Sequence, residues 1–219
     1  MITENKAFGR VSWRQPSDMR MPVAGWCVEA RQDPITGLVA FPDFYDELPD
    51  ILEDCRARGV HLGIAIGDVD DLKAYVEHSK SSDPAAFGHV AGCALMQSLG
   101  DSSTRWYHAL NLELGCLATF GGDEIIVALP VERNREGEFV QRISDLRDLL
   151  KSELPRTVSF GFGVLWHEDL ARLESSASLS EMAVGLLSRI DQSLFGAKAE
   201  ARGRGERYGG LLSEAKVHV

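Results

Sequence analysis

The stretch that most constrains the fold of this 219-residue chain is CLATFGGDEIIVALP, residues 116 to 130. Two apolar runs, both suited to a protein interior, are separated only by Gly121-Gly122 and by two acids, Asp123 and Glu124. Because glycine adopts positive φ readily, Gly-Gly between two apolar runs predicts a two-residue turn between antiparallel strands. The hairpin would carry two carboxylates at its tip while both of its arms are buried.

A second apolar run also ends in acids. The segment VHLGIAIGDVD is rich in Ile and Val and predicts a buried strand from Val60 to Val69, with Asp68 and Asp70 at its end. Strand ends lie at the rim of a sheet, so two such ends side by side would gather several carboxylates. Carboxylates that lie close together raise each other's pKa unless a cation neutralises them.

Such an oxygen-rich cluster suits Mg²⁺, which proteins hold with one or two carboxylates plus substrate phosphates. Two metal ions held there would activate a hydroxyl and stabilise the leaving oxygen of a phosphoryl or nucleotidyl transfer. The alternative is structural: residues 68–71 would cap the helix that begins near Leu72, and Asp123 and Glu124 would form a polar hairpin tip. The acids alone favour neither interpretation.

The rest of the chain alternates helical and strand patterns. Helices are predicted at about 42–58, from 72 onward, at 88–99, 138–154 and 179–201, and a further strand at 157–166. Strands separated by helices, with a hairpin in the middle, indicate an α/β layer fold with a mixed sheet. Residues 1–32 are expected to be an extension that packs on or leads into one domain at 33–208, and residues 209–219 a loose tail.

Composition excludes several classes of protein. A net charge of −10 argues against a general nucleic-acid binder, although a single nucleotide can bind through metal ions. The four cysteines form no C-x-x-C pair and are expected to be reduced thiols, not a disulfide framework or zinc site. No apolar run approaches 18 residues and the N-terminus lacks a signal-peptide core, so no membrane association and a cytoplasmic location are expected.

Six short motifs, in order along the chain, resemble those of one known family. GGDE resembles the signature of the GGDEF family, the diguanylate cyclase domain, with Ile125 in place of the usual Phe. The other five matches cover about residues 33 to 208: DPITGL (Asp33–Leu38), GDVDDLK (Gly67–Lys73), FGHVAGC (Phe87–Cys93), TVSFGFG (Thr157–Gly163) and IDQSLFGAKAEAR (Ile190–Arg202). The resemblance implies a palm-like, ferredoxin-like α+β fold, a central and mostly antiparallel sheet wrapped by helices.

The resemblance also implies roles for individual residues. Asp68, the carbonyl of Val69 and Asp123 would hold Mg²⁺ or Mn²⁺, and Glu124 would assist metal binding or deprotonate a ribose 3′-hydroxyl. Gly121 and Gly122 would let the hairpin backbone approach the α- and β-phosphates. The terminal phosphates would be contacted by three cationic side chains, those of Lys73, Lys198 and Arg202. For Lys198 and Arg202 the alternative is a solvated helix end.

The departures from the family pattern concern the base. The family's guanine-contacting Asn aligns with Val76, or falls in the loop expected around 77–86, and its guanine-contacting Asp is Cys93 here. A thiol accepts hydrogen bonds poorly, so both guanine contacts are weakened or lost. His78, Ser79, Ser81 and Ser82 would be replacement contacts or plain members of a solvent loop. Thr119 stands where the family usually has Arg, and residues 112–115 lack the R-x-x-D of its inhibitory product site.

Two functions follow from the resemblance. The first is a cyclase that joins two nucleoside triphosphates, GTP by default or another purine, into a cyclic dinucleotide within a homodimer. The second is a catalytically degenerate module that binds a nucleotide and regulates a partner protein. Retention of the acids and cations favours the first, and loss of the guanine contacts favours the second.

Overall fold

The computed structural model describes residues 25–82, 88–172, 176–205 and 210–215. Most of the predicted extension (residues 1–24), residues 83–87 of the predicted loop, and residues 206–209 and 216–219 lie outside this part of the chain. The elements in chain order are β1 (Val39–Ala40), α1 (Phe41–Arg58), β2 (His61–Val69), α2 (Leu72–Ser82), α3 (Gly88–Ala109), β3 (Cys116–Gly121), β4 (Glu124–Val131), α4 (Glu136–Glu153), β5 (Val158–Leu165), α5 (His167–Leu170), α6 (Ser176–Gly203) and β6 (Leu212–Glu214). None of the helices in these ranges combines the length and apolarity that crossing a bilayer requires.

The described strands form one sheet in the order β1-β3-β4-β2-β5-β6. The inner pairs β3–β4, β4–β2 and β2–β5 are antiparallel, whereas the short edge strands β1 and β6 run parallel to their neighbours. The fold is therefore α+β with a mixed, mostly antiparallel sheet, as predicted. The strand β2, which carries Asp68 next to its last residue, lies between the long strands β4 and β5, so its end lies at the centre of the sheet edge.

Each face of the sheet is covered by a different set of helices. Along β2, Leu62, Ile64 and Ile66 pack in a core with side chains of α1 and α6, whereas Ala65 and Val69 pack in a core with side chains of α3 and α4. This alternation follows from the two-residue repeat of a strand. We call the two sides the α1/α6 face and the α3/α4 face. Leu72 and Tyr75 of α2 pack on the α3/α4 face.

Two structural expectations for the middle of the chain need correction. The two turn residues are Gly122 and Asp123, because Gly121 still pairs with Glu124, after a register shift between Ala118 and Gly121. The helix α2 continues to Ser82, so residues 77–82 of the loop expected around 77–86 are helical. The hydroxyl of Ser79 donates back to the carbonyl of Tyr75 at 2.9 Å.

The predicted loose tail is wrong where the structure describes it. Residues 212–214 form β6, which pairs with Phe160, Gly161 and Phe162 of β5. Without β6, this edge of β5 would present unpaired N–H and C=O groups. The side chain of Ala215 is buried in the core on the α1/α6 face, so the segment belongs to the folded unit.

Candidate functional site

The two acidic strand ends predicted from the sequence lie side by side. Asp68 of β2 is the direct partner of Glu124 of β4, and the Val69 N–H donates to the carbonyl oxygen of Asp123 at 3.0 Å. Alternate residues of a strand point to the same face, so Asp68 shares the face of Ile66 and Glu124 shares the face of Ile126. Both isoleucines pack on the α1/α6 face. The side chains of Asp68 and Glu124 therefore project from the same edge and the same face of the sheet.

The hairpin tip is held in shape by Thr119, which is buried. Its hydroxyl donates to the carbonyl of Glu124 at 2.6 Å and accepts from the Gly121 N–H at 3.0 Å. Gly121 and Gly122 have φ of +100° and +72°, a backbone region that L residues with side chains rarely adopt. A Cβ at either glycine would meet no protein atom within 4 Å, so the backbone conformation, not crowding by the protein, requires glycine here.

Lys198 of α6 contacts the acids of β2 and of the residues that follow it. Its ammonium forms ion pairs with the carboxylates of Asp68 and Asp70, the latter at 3.0 Å, and the residue is only 7% exposed. Asp70, 2% exposed, also accepts hydrogen bonds from the hydroxyls of Thr157 at 2.7 Å and Ser159 at 2.8 Å. Asp68 and Asp70 therefore engage α6 and β5 and do not cap α2, and Lys198 is not a solvated helix end.

Partial burial and neighbouring carboxylates raise the pKa values of both acids at the hairpin tip. Partial burial, followed by repulsion from Asp68, Asp123 and Asp191, raises the pKa of Glu124 to about 7, although Lys198 opposes the shift. The pKa of Asp123 is also raised, by burial and by Asp68, again against the effect of Lys198. A carboxyl group with a pKa near neutrality can both accept and return a proton at physiological pH.

The remaining predicted residues fall into two groups. Lys73 in the first turn of α2 and Arg202 in the last turn of α6 are both exposed. Val76 of α2 packs towards α3, with its Cγ2 3.5 Å from a Cβ placed on Gly92. The structure thus brings Val76 next to the residue preceding Cys93, between two helices on the α3/α4 side of the sheet.

The sequence did not predict the polar groups that surround the acids of the site. Asp70 was predicted only to lie at the end of the strand, and no role was predicted for its partners Thr157 and Ser159. Asp191, which raises the pKa of Glu124, lies seven residues before Lys198, which is about two helical turns and places both on one side of α6. That spacing is the signal that would have identified Asp191.

The donor set fits Mg²⁺ of the two-carboxylate kind. Within the described ranges, no group of three or more His, Cys, Asp or Glu side chains is arranged to hold a metal ion. Two carboxylates from adjoining strand ends, with carbonyl, water or phosphate oxygens as further ligands, would meet the preference of Mg²⁺ for hard ligands and for keeping several waters. Zinc, which favours sulfur and imidazole ligands, does not fit this oxygen-only site.

The comparison of structures finds relatives of this fold, whereas two comparisons of the sequence find no match. No protein-family model matches the chain, and no curated protein matches its sequence. The GGDEF domain of DgcB from Caulobacter crescentus, solved in complex with c-di-GMP, is similar with a TM-score of 0.60 and 19% identity, over 85% of this chain and 96% of that one.

Two Pseudomonas aeruginosa proteins extend the comparison. The diguanylate cyclase SiaD, solved with its activator SiaC, gives a TM-score of 0.59 at 21% identity, over 84% of this chain and 61% of that one. The GGDEF domain of FimX gives 0.51 at 18% identity, over 84% of this chain and 98% of that one. With the sheet order and the acidic hairpin tip described above, these likenesses show that the chain has the fold of the GGDEF domain family.

Proposed function

We propose that this protein is a diguanylate cyclase-like nucleotidyltransferase. It condenses two purine nucleoside triphosphates, GTP by default, into a cyclic dinucleotide and releases two pyrophosphates. The observation that carries the proposal is the convergence of Asp68, Asp123 and Glu124 at one corner of the sheet, where Glu124 has a pKa of about 7. A purely structural hairpin tip has no need for carboxylates that repel each other.

Residues of this chain would divide the work as follows. Asp68, the carbonyl of Val69 and Asp123 would hold Mg²⁺ or Mn²⁺, which supplies polarisation of the α-phosphoryl group and a lower pKa of the 3′-hydroxyl. The hairpin glycines, Gly121 and Gly122, would bring backbone close to the phosphates. Lys73, Lys198 and Arg202 would balance the charge of the terminal phosphates, for which Lys198 would have to release Asp68.

In the proposed reaction, Glu124 is the group that accepts the proton. The 3′-oxygen of one nucleotide bonds to the α-phosphorus of the other, the bond from that phosphorus to pyrophosphate breaks, and the hydroxyl proton passes to Glu124. Two such steps close the ring. One chain presents one set of these residues, so two chains facing each other as a homodimer would supply both reacting ends.

Two specific observations favour a second function. The ammonium of Lys198 neutralises Asp68 and Asp70, and the positions that contact guanine in the family are Val76 and Cys93. A module in this state would bind nucleotide and signal to a partner protein without catalysis. The structural relative SiaD is bound to an activator protein, which supports a protein partner as the regulator in either case.

The test is a product analysis. Purified protein is incubated with Mg²⁺ or Mn²⁺ and each nucleoside triphosphate in turn, and the products are separated, with Asp123→Asn and Glu124→Gln as site variants and exposed Asp148→Asn as the matched control. The cyclase predicts a dinucleotide from the wild type and the control, a rate per chain that rises with protein concentration, and loss of product in both site variants. Metal-dependent nucleotide binding without product would support the regulatory module, and absence of binding would reject both functions.

A further inference from the structure

A groove beside Glu124 has no role in the function proposed above. It lies between the start of α1, the end of β3 and the middle of α6, and its cavity has a volume of about 380 Å³. Its walls combine aromatic, aliphatic and acidic side chains: Phe41, Tyr45, Phe120, Val184, Glu124 and Asp191. A concave, mainly apolar site with a few convergent polar groups is the usual form of a small-molecule pocket.

The groove and the acid cluster open on the same side of the sheet. Asp68 and Glu124 project from the α1/α6 face, and Lys198 approaches them from α6. Val76 and Cys93 lie on α2 and α3, helices that cover the other face. A triphosphate held through metal ions at Asp68 and Asp123 would therefore lie beside the α1/α6 groove, because Glu124, the neighbour of Asp123, lines that groove.

We propose that the purine base of the bound nucleotide occupies this groove, and not the space between α2 and α3. This inference rests on the proposed nucleotide site and specifies where that site recognises its base. It also accounts for the chain's lack of polar guanine contacts at Val76 and Cys93, since a base held on the α1/α6 face would not need them.

The walls of the groove suit a planar, N–H-bearing ring. Phe41 packs against Phe120 with ring centroids 4.3 Å apart and against Tyr45 at 5.6 Å, which gives a cluster of aromatic surfaces for stacking. The carboxylate of Asp191 only accepts hydrogen bonds when ionised. It therefore favours a base edge with adjacent N–H donors, which guanine presents and adenine does not.

The experiment blocks the groove without touching the acids. Val184 is 47% exposed on α6, so Val184→Trp fills the groove at little cost to folding, and Val90→Trp, at a residue 43% exposed on α3, is the matched control. Calorimetry with Mg²⁺ measures binding of the α,β-methylene analogue of GTP and of inorganic tripolyphosphate to the full chain. Stacking of one base contributes roughly ten-fold or more in affinity. Val184→Trp should therefore lower the affinity for the analogue by about that factor and leave the affinity for tripolyphosphate unchanged.

The outcomes separate this inference from the proposed function. If wild-type protein binds tripolyphosphate with Mg²⁺ but Val184→Trp leaves the analogue's affinity intact, the groove is not the base site while the phosphate site stands. An equal loss in Val90→Trp would overturn the inference, because Val90 does not line the groove. Equal losses for analogue and tripolyphosphate in Val184→Trp would also overturn it, because the effect would not concern the base. If wild type binds neither probe, the proposed function itself fails.

A second variant tests the recognition of the base edge. Asp191→Ala removes the acceptor and should reduce the preference for the guanosine analogue over the adenosine analogue, with tripolyphosphate binding retained. An unchanged preference would remove Asp191 from the recognition of the base.

Discussion

Lys198 neutralises the carboxylates at the centre of the candidate site. Its ammonium is almost fully buried against Asp68 and Asp70, and Asp70 is buried as well. Buried charges of this kind are stable only when they are paired and hydrogen-bonded, and removing one partner leaves the other uncompensated. Lys198 thus balances the charge that metal ions would balance in the proposed nucleotide complex.

The first prediction concerns Lys198→Met in metal-free buffer. We expect the free energy of unfolding to fall by about 3 kcal/mol, because two carboxylates lose their buried counter-ion. Saturating MgCl₂ should restore part of this loss in the variant, since a divalent cation can neutralise Asp68. Urea unfolding with and without MgCl₂ measures both effects. Lys151→Met, at an exposed lysine of α4, should change stability by less than about 0.5 kcal/mol, and a similar loss in both variants would contradict the assignment.

The second prediction concerns the pH dependence of stability at Glu124. Its pKa is about 7 in the folded chain against 4.5 in the reference state, so the folded protein binds more protons between these values. Stability from this group is therefore fully present below pH 4.5 and lost as pH rises through 7. In buffer with EDTA, Glu124→Gln should be more stable than wild type above pH 7, by about 1–2 kcal/mol after allowance for partial solvent screening.

Chemical denaturation across this pH range provides the measurement. The curves for wild type and Glu124→Gln should converge as the pH falls towards 4.5. Exposed Glu181→Gln on α6 is the control and should follow wild type throughout. Parallel curves for wild type and Glu124→Gln would mean that Glu124 has an ordinary pKa.

At the residue scale, the sequence predicted features that depend on neighbouring residues in the chain. It did not predict contacts that depend on how a helix packs on the sheet. The position of Asp68, Asp123 and Glu124 at the sheet edge could be predicted because each lies near the end or the start of a buried strand. The burial of Lys198 and the proximity of Asp191 could not, because both depend on how α6 lies against the sheet. The same holds for Thr119, whose hydroxyl stabilises the hairpin tip through two hydrogen bonds to the backbone. Residue spacing in the sequence does not predict these hydrogen bonds.

At the scale of elements, the contact between α6 and β5 positions the site. A Cβ on Gly161 of β5 would lie 2.6 Å from the carbonyl oxygen of Ile190 and 2.9 Å from the Cβ of Leu194. The backbone of α6 approaches β5 this closely only because residue 161 is glycine. Asp191 and Lys198 follow directly along this helix, so the distance between α6 and β5 sets their reach towards the acids.

The third prediction is that Gly161→Ala destabilises the fold and weakens the phosphate site together. The added methyl group meets a backbone carbonyl that cannot rotate away, so we expect a loss of about 1–3 kcal/mol and weaker binding of Mg²⁺-tripolyphosphate. Gly185→Ala, at a helical glycine of α6 with no atom within 4 Å of its added Cβ, should stabilise by about 0.5–1 kcal/mol and leave binding unchanged. Full binding by Gly161→Ala would show that the spacing of α6 does not control the site.

Element prediction from the sequence succeeded for long patterns and failed for short ones. The strands β2, β4 and β5 and the helices α1, α4 and α6 follow apolar runs or three-and-four spacings of many residues. The edge strands β1 and β6 have two and three residues, and they are strands only because a neighbour offers unpaired backbone groups. That partner is remote in sequence, so a local pattern cannot reveal it.

At the scale of the whole molecule, both ends of the described chain belong to one core. Trp26 and Cys27 near the start and Ala215 at the end are buried in the same cluster, on the α1/α6 face. The Trp26 indole N–H donates to Asp54 of α1 at 3.0 Å, and Arg31 pairs with Asp43 of the same helix. Residues 25–31 therefore pack on the domain, in agreement with an extension that packs on it, and the core reaches upstream of residue 33.

The last prediction tests whether this segment unfolds with the rest of the chain. Trp26 is 8% exposed, so Trp26→Ala removes a large buried side chain and should lower the free energy of unfolding by about 3–5 kcal/mol. Far-ultraviolet circular dichroism in urea should still show a single transition, shifted to lower denaturant, because the segment shares its core with α1 and α6. Trp166→Ala, at a tryptophan that is 40% exposed, should cost distinctly less. A change below about 0.5 kcal/mol in Trp26→Ala would mean that residues 25–31 are an appendage whose contacts with α1 do not contribute to folding.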